Sequence, residues 1–236
     1  MSAPVALDPT RPVLDQLRER VSALEGAPAR LPLPTHPAVA SVLGLRAGGA
    51  YGVDSASLAL ALAAGASQAG EWVGFAGWGD FGAEAAEELG VDLGRTVLVP
   101  EPGEHWREVT AALVDVLRVV VLRPPLAVDA KSAGRIEARL RTRSAALVVW
   151  GEWPRCDARL SLEQVRWTGP DQGRGVLRQR RATLAVRRGT APAVRADVLF
   201  PGERSALELV APVEHERRVT RPARWATAAA AAGAVG

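Results

Sequence analysis

From Val42 onward the apolar positions come in two alternating patterns: short blocks of β-branched and aromatic residues, and longer blocks in which apolar residues recur every three to four positions. The first period belongs to strands and the second to helices. "GGAYGV" (48–53) predicts a strand, and "SASLALALAAGASQ" (55–68) a helix apolar nearly all round, which calls for deep burial. "EWVGFAGW" (71–78), "TVLVP" (96–100), "RVVVLRPP" (118–125) and "AALVVWG" (145–151) predict strands. "GAEAAEEL" (82–89), "EHWREVTAALVDVL" (104–117) and "DAKSAGRIEARLRTR" (129–143) predict helices. The unbroken valine run at 119–121 points to a strand covered on both faces. Strand–helix alternation at these lengths predicts an α/β fold: a mainly parallel central sheet with helices on both faces.

The pattern changes at both ends. Val13, Leu14, Leu17, Val21 and Leu24 predict a helix over 10–25, stopped by Gly26. Four prolines between Ala27 and Pro37 then predict an extended linker. After Trp153, residues 158–189 read as two strands around a Gly-Pro-Asp-Gln-Gly turn, an antiparallel hairpin at the sheet edge, and 193–202 as one strand more. From Glu214 no core-forming pattern remains. The expected division is an N-terminal helix and Pro-rich linker (1–41), a core (42–212) and a basic, Ala-rich tail (213–236), disordered unless bound.

The strand–turn–helix at "YGVDSASLALAL" has the outline of a phosphate cradle without its contents. Such a cradle needs glycines to wrap the anion, a lysine to reach the terminal phosphates and a Ser or Thr for Mg²⁺. Here Gly52, Val53, Asp54, Ser55, Ala56 and Ser57 form a vestigial pocket with one glycine. Lys131 is the sole lysine of the chain and lies in a later helix, and no arginine falls between Arg46 and Arg95. Asp54 is expected to cap the helix and occupy its positive end. The strand that would deliver a metal-binding acid ends instead in Arg123 and two prolines. ATP hydrolysis is not expected, nor is any cofactor.

The order of segments resembles the RecA recombinase core over Val42 to Pro212. "GLRAGGAYG" is similar to the lead-in to that family's phosphate loop, and "ELGVDLGRTVLVPEP" to its "LGVDL" segment and following strand. "AALVDVLRVVVLRPP" is similar to the helix and metal-binding strand, and "ARLSLEQVRW" with "RATLAVRRGTAPAVRADVLFPG" to the terminal hairpin. The departures are functional ones. The phosphate loop is short, and only Asp80 lies near the place of the catalytic Glu. Gly151 and Glu152 stand where the family has a nucleotide-sensing Asn-Gln pair, and the mobile DNA-binding loop is nearly gone. A RecA-like core emptied of nucleotide chemistry is most similar to the ImuA-type proteins of actinobacterial mutagenesis cassettes, including the ImuA-prime form, with SulA-like cell-division inhibitors among their relatives. That resemblance implies a non-catalytic adaptor for error-prone translesion synthesis after DNA damage. Its partners would be ImuB, an inactive Y-family polymerase homologue, and, indirectly, an error-prone replicative-type DNA polymerase. It would be cytoplasmic, and nucleoid-associated when damage is present. The alternatives are a SulA-like inhibitor of a division GTPase, a DNA-binding module and a residual nucleotide binder.

Charge adds candidate contact surfaces. The net charge is +3 over 236 residues, unevenly spread: residues 151–236 hold 15 Arg and 9 acidic residues, whereas residues 1–150 hold 14 basic and 17 acidic. Seven arginines and no acid lie between Arg174 and Arg195. On a strand, Arg178, Arg180 and Arg188 share a face with Ala182, Leu184 and Val186, and Arg181 and Arg187 take the other. With Trp167 on the neighbouring strand they are candidates for an acidic partner or a weak DNA contact; a solvated edge hairpin is the structural alternative. Arg217, Arg218, Arg221, Arg224 and Trp225 make the tail a candidate docking segment. Cys156 is the lone cysteine, so no internal disulfide forms, and His36, His105 and His215 show no metal-ligand spacing. The longest apolar run, 58–66, is well short of the roughly 20 residues that span a bilayer, so no membrane contact is expected.

Overall fold

Nine strands form one mixed sheet in the computed structural model, which describes residues 30–169, 177–202 and 207–210. The strands are β1 (Ala50–Val53), β2 (Val73–Ala76), β3 (Thr96–Val99), β4 (Val119–Leu122), β5 (Ala146–Trp150), β6 (Ala158–Thr168), β7 (Gln179–Arg187), β8 (Val194–Phe200) and β9 (Glu208–Val210). Their order is β3-β2-β4-β5-β1-β6-β7-β8-β9. Every pairing from β3 through β6 is parallel; those from β6 to β9 are antiparallel. The expected hairpin, β6–β7, is therefore present, but β8 and the unanticipated β9 extend the sheet beyond it.

The helices are α1 (Pro37–Ala40), α2 (Ala56–Gln68), α3 (Ala83–Glu88), α4 (Trp106–Val116) and α5 (Ala130–Arg143). The inner strands of the parallel half alternate between two cores, which is why β4 and β5 are apolar throughout. Val119 and Val121 of β4 join the cluster around α2. Val120 and Leu122 join the cluster around α4 and α5. All four are fully buried. Helix α2 is sequestered from Leu58 to Ser67, as its all-round apolar sequence requires.

The sequence boundary at residue 41 does not separate linker from core. Leu33, Val39, Leu43 and Leu45 are buried in the α2-side cluster. The Leu33 amide donates to the Leu45 carbonyl at 2.9 Å, and Thr35 Oγ1 accepts from the Leu45 amide at 2.9 Å. Within this proline-rich segment Leu31 is exposed and Leu33 buried. Gly65 makes the approach feasible, because a Cβ there would lie 2.3 Å from the His36 amide nitrogen. His36 caps α1, its Nδ1 accepting from the Ala38 amide. The helix expected at 10–25, most of the Gly-Pro-Asp-Gln-Gly turn and the tail lie outside the described residues. No helix among those described is long and apolar enough to cross a membrane.

Candidate functional site

The carboxyl ends of β1, β2, β4 and β5 converge where α/β sheets usually leave a ligand crevice. Here Arg180, Arg123 and a group of aromatic rings line it. The β1 segment ends in Gly52 and Val53, then turns through Asp54 and Ser55 into α2. Gly52 sits within the strand, with Arg159 Cγ and Cys156 Sγ 3.1 and 3.2 Å from where its Cβ would be. It is glycine because β6 and its lead-in press on it, rather than because an anion must be wrapped. Val53 is buried and Ala56 packs on the core.

Asp54 does not cap α2, contrary to expectation. Ser55 is the N-cap residue, extended at φ −144° and ψ 150°, and makes no side-chain cap bond. Asp54 instead turns toward the neighbouring strand, where its Oδ2 accepts from the Leu162 amide of β6 at 3.2 Å. β6 lies directly beside β1 in parallel, which brings that amide within reach of the carboxylate.

An arginine does reach this turn, from far along the chain. Arg180 of β7 donates from Nη2 to Ser57 Oγ at 2.7 Å. Its guanidinium lies 4.4 Å from the Phe200 ring centroid and 5.4 Å from that of Trp167. Strand register explains the arrangement: Trp167 is opposite Arg180, and Arg180 is opposite Phe200, so three adjacent strands present one ladder on one face. Arg180, a candidate for an outside partner, is half-buried and engaged within the chain. Burial lowers its pKa from the usual guanidinium value. Its Nε and Ser55 Oγ are buried without a hydrogen-bond partner. A cation here also faces the positive end of the α2 dipole.

The other half of the crevice is closed by aromatic rings. Trp150 ends β5, Trp78 follows β2, and their centroids are 4.8 Å apart. Phe81 and Phe75 complete the cluster. Arg123, following β4, lies 4.2 Å over the Trp150 ring and donates to Asp80 Oδ1 at 2.9 Å. Asp80, the acid nearest the place of a catalytic Glu, is thereby engaged with a cation. Gly77 allows the tight join: it has φ +78°, and a Cβ there would lie 2.1 Å from the Arg123 carbonyl oxygen. Glu152 pairs with Arg159 at 3.2 Å, and burial pushes the Cys156 thiol up, away from thiolate reactivity.

The remaining hairpin arginines divide. Arg181 binds Asp197 Oδ2 at 2.9 Å, and Arg188 donates to the Val42 carbonyl at 3.0 Å. Arg178 and Arg187 are exposed, and so is about half of Trp167. Arg217, Arg218, Arg221, Arg224 and Trp225 lie outside the described residues. Sequence reading missed Asp157, whose carboxylate accepts from the Ala50 amide at 3.0 Å and from Arg30 at 2.8 Å, tying the start of β1 to the residues before it. Among the described residues, no group of three or more His, Cys, Asp or Glu is placed to hold a metal ion.

The fold is α/β with a nine-stranded mixed sheet, and Arg180, Arg123 and Trp150 stand at the carboxyl ends of its central strands. Residues 38–155, half of the chain, match the model of the MT3502 N-terminal domain, and the chain belongs to that family. Over 107 residues it is 36% identical to Rv3395c of Mycobacterium tuberculosis, an uncharacterized protein. The match takes in 44% of this chain and 52% of that one, so the chain spans about half the length of the relative.

Proposed function

We propose that this protein is a RecA-like adaptor without nucleotide chemistry, acting in DNA-damage tolerance by protein–protein contacts that support error-prone translesion synthesis. The partners fitting that role are an ImuB-like inactive polymerase homologue and, through it, an error-prone polymerase. The observation that carries the non-catalytic half is the engagement of both candidate acids within the chain. Hydrolysis of a bound triphosphate requires a cation cradle at the helix start and a carboxylate free to hold metal or activate water. Asp54 is spent on β6, Asp80 on Arg123, and Trp150 lies beneath that ion pair. The strand order β3-β2-β4-β5-β1 supports the RecA-like reading of the core.

The decisive experiment is capture of the inactive polymerase homologue by the full chain, by a chain lacking 213–236 and by an Arg178→Glu/Arg187→Glu variant. Failure of the full chain to bind sinks the adaptor reading, and unchanged binding by both variants clears those surfaces.

A second reading, a residual anion or nucleotide binder, has Arg180 in its favour, because a half-buried guanidinium at the start of a helix is where an anion would be welcome. Thermal denaturation with ATP and Mg²⁺ separates the two. A genuine site at 100-fold excess over Kd raises stability by about 2.7 kcal/mol, and the adaptor reading expects no shift.

A further inference from the structure

Strand β3 ends the sheet on the side away from the hairpin, and nothing among the described residues pairs with its outer edge. Natural edge strands are usually guarded by a charge, a proline or a bulge within the strand. Thr96-Val97-Leu98-Val99 itself holds no charge, proline or bulge, its guards being its four-residue length and Pro100 just beyond; its register with β2 is unbroken, and Leu98 is 39% exposed. The direction of the free backbone groups follows from one hydrogen bond. The Val99 carbonyl accepts from the Gly77 amide at 3.0 Å and so points toward the β2 side. Backbone groups alternate along a strand, so those of Thr96 and Leu98 point outward.

We propose that β3 is a self-association edge, pairing antiparallel with β3 of a second copy about a two-fold axis through Leu98. In that register Leu98 meets Leu98 and exchanges two hydrogen bonds. The Thr96 amide reaches the Pro100 carbonyl in each direction, while Pro100 has no amide to offer in return. Charge selects this occupant. Arg95 precedes the strand and Glu101 follows it, both exposed; Arg95 also donates to the Gly70 carbonyl at 2.7 Å and lies 3.7 Å from Asp92 Oδ2. Antiparallel pairing about Leu98 sets Arg95 of each copy opposite Glu101 of the other, and a parallel copy would set like charges side by side. A two-fold contact uses the same patch twice and closes, so it yields a dimer rather than a fibre. Four residues of strand bury much less than the roughly 1,600 Å² of a standard stable interface, so the association belongs to the weak, concentration-dependent class. This proposal is independent of the adaptor reading.

Sedimentation equilibrium of the full chain tests it from about 1 µM to about 500 µM, the range spanning weak dissociation constants. A monomer–dimer equilibrium is expected. Arg95→Glu and Glu101→Arg should each raise the dissociation constant about tenfold, and the double variant, which restores opposite charges, should return it to within about threefold of the parent. Leu98→Lys should leave monomer only, with an unchanged circular dichroism spectrum showing an intact fold. A chain monomeric throughout overturns the proposal, as does a dimer indifferent to Leu98→Lys, or a double variant no better than the single ones.

Discussion

Arg180 gives the sharpest quantitative prediction, because its contacts are few and separable. Truncating it to Ala removes a charge-assisted hydrogen bond to Ser57, of the kind worth about 1.5–3 kcal/mol, and two ring contacts of about 0.5–1 kcal/mol each. Two effects work against that total. The truncation relieves a buried Nε that has no partner, and it removes a cation from the positive end of α2, which is worth about 0.3–1 kcal/mol. About 2 kcal/mol of net destabilisation is expected for Arg180→Ala, given the one to three that an unmade buried hydrogen bond costs. Arg180→Lys keeps charge but loses the planar stack between Trp167 and Phe200, so it should sit near the midpoint, about 1 kcal/mol. Ser57→Ala should cost about 1 kcal/mol by leaving the guanidinium short of an acceptor. Urea unfolding of the four members of the Arg180/Ser57 cycle measures the coupling directly, and about 1 kcal/mol is expected for residues in contact. Additive losses would mean the Arg180–Ser57 contact contributes nothing, and the account of the closed turn would fall with it.

Arg123→Ala should cost about 1–2 kcal/mol through the lost stacking on Trp150, whereas Asp80→Ala, at the exposed end of the same pair, should cost under about 0.5 kcal/mol; equal losses in urea unfolding would assign the contact to charge instead. Gly65→Ala gains about 1 kcal/mol of helix propensity, but its Cβ meets the backbone of Thr35 and His36, so a net loss of more than about 2 kcal/mol is expected by the same assay, and a gain would detach 30–41 from the core. Burial holds the His36 imidazole below its usual pKa, so the unfolded chain takes up its proton first: stability is full above pH 6.5 and falls as pH drops below it, a slope that His36→Asn should flatten in thermal melts at graded pH. Tyr51 works in the opposite direction. Burial pushes its phenol up to about 12, so the stability it contributes is full below pH 10 and falls as pH rises from 10 toward 12, and Tyr51→Phe should remove that loss.

The strands and helices of the parallel half were legible because each carries a local signature. The valine run of β4 and the all-apolar α2 are extreme cases, and their predicted spans match within a few residues. The face assignment on β7 was legible too, since period two separates Ala182, Leu184 and Val186 from Thr183. What could not be read was any contact between segments far apart in sequence. Asp54 looked like a helix cap because the sequence puts it one residue before the N-cap Ser55. Only the placement of β6 beside β1 supplies the competing Leu162 amide, 108 residues on. The absence of a local arginine near the turn was read correctly, yet Arg180 arrives there from 123 residues away. The pairing of Leu33 with Leu45 was hidden by prolines, whose usual association with linkers outweighed a weak two-residue alternation.

Strand β1 is laid down first, yet its neighbours, β5 and β6, begin only at residues 146 and 158. During synthesis the central strand and the greasy helix behind it must therefore wait, unpartnered, while nearly a hundred further residues leave the ribosome. Such long-range closure is slow and leaves sticky surface open in the meantime. A fragment ending at residue 155, where the family match stops, would hold β1 with one flank bare, because the strand that covers it, β6, begins only at residue 158.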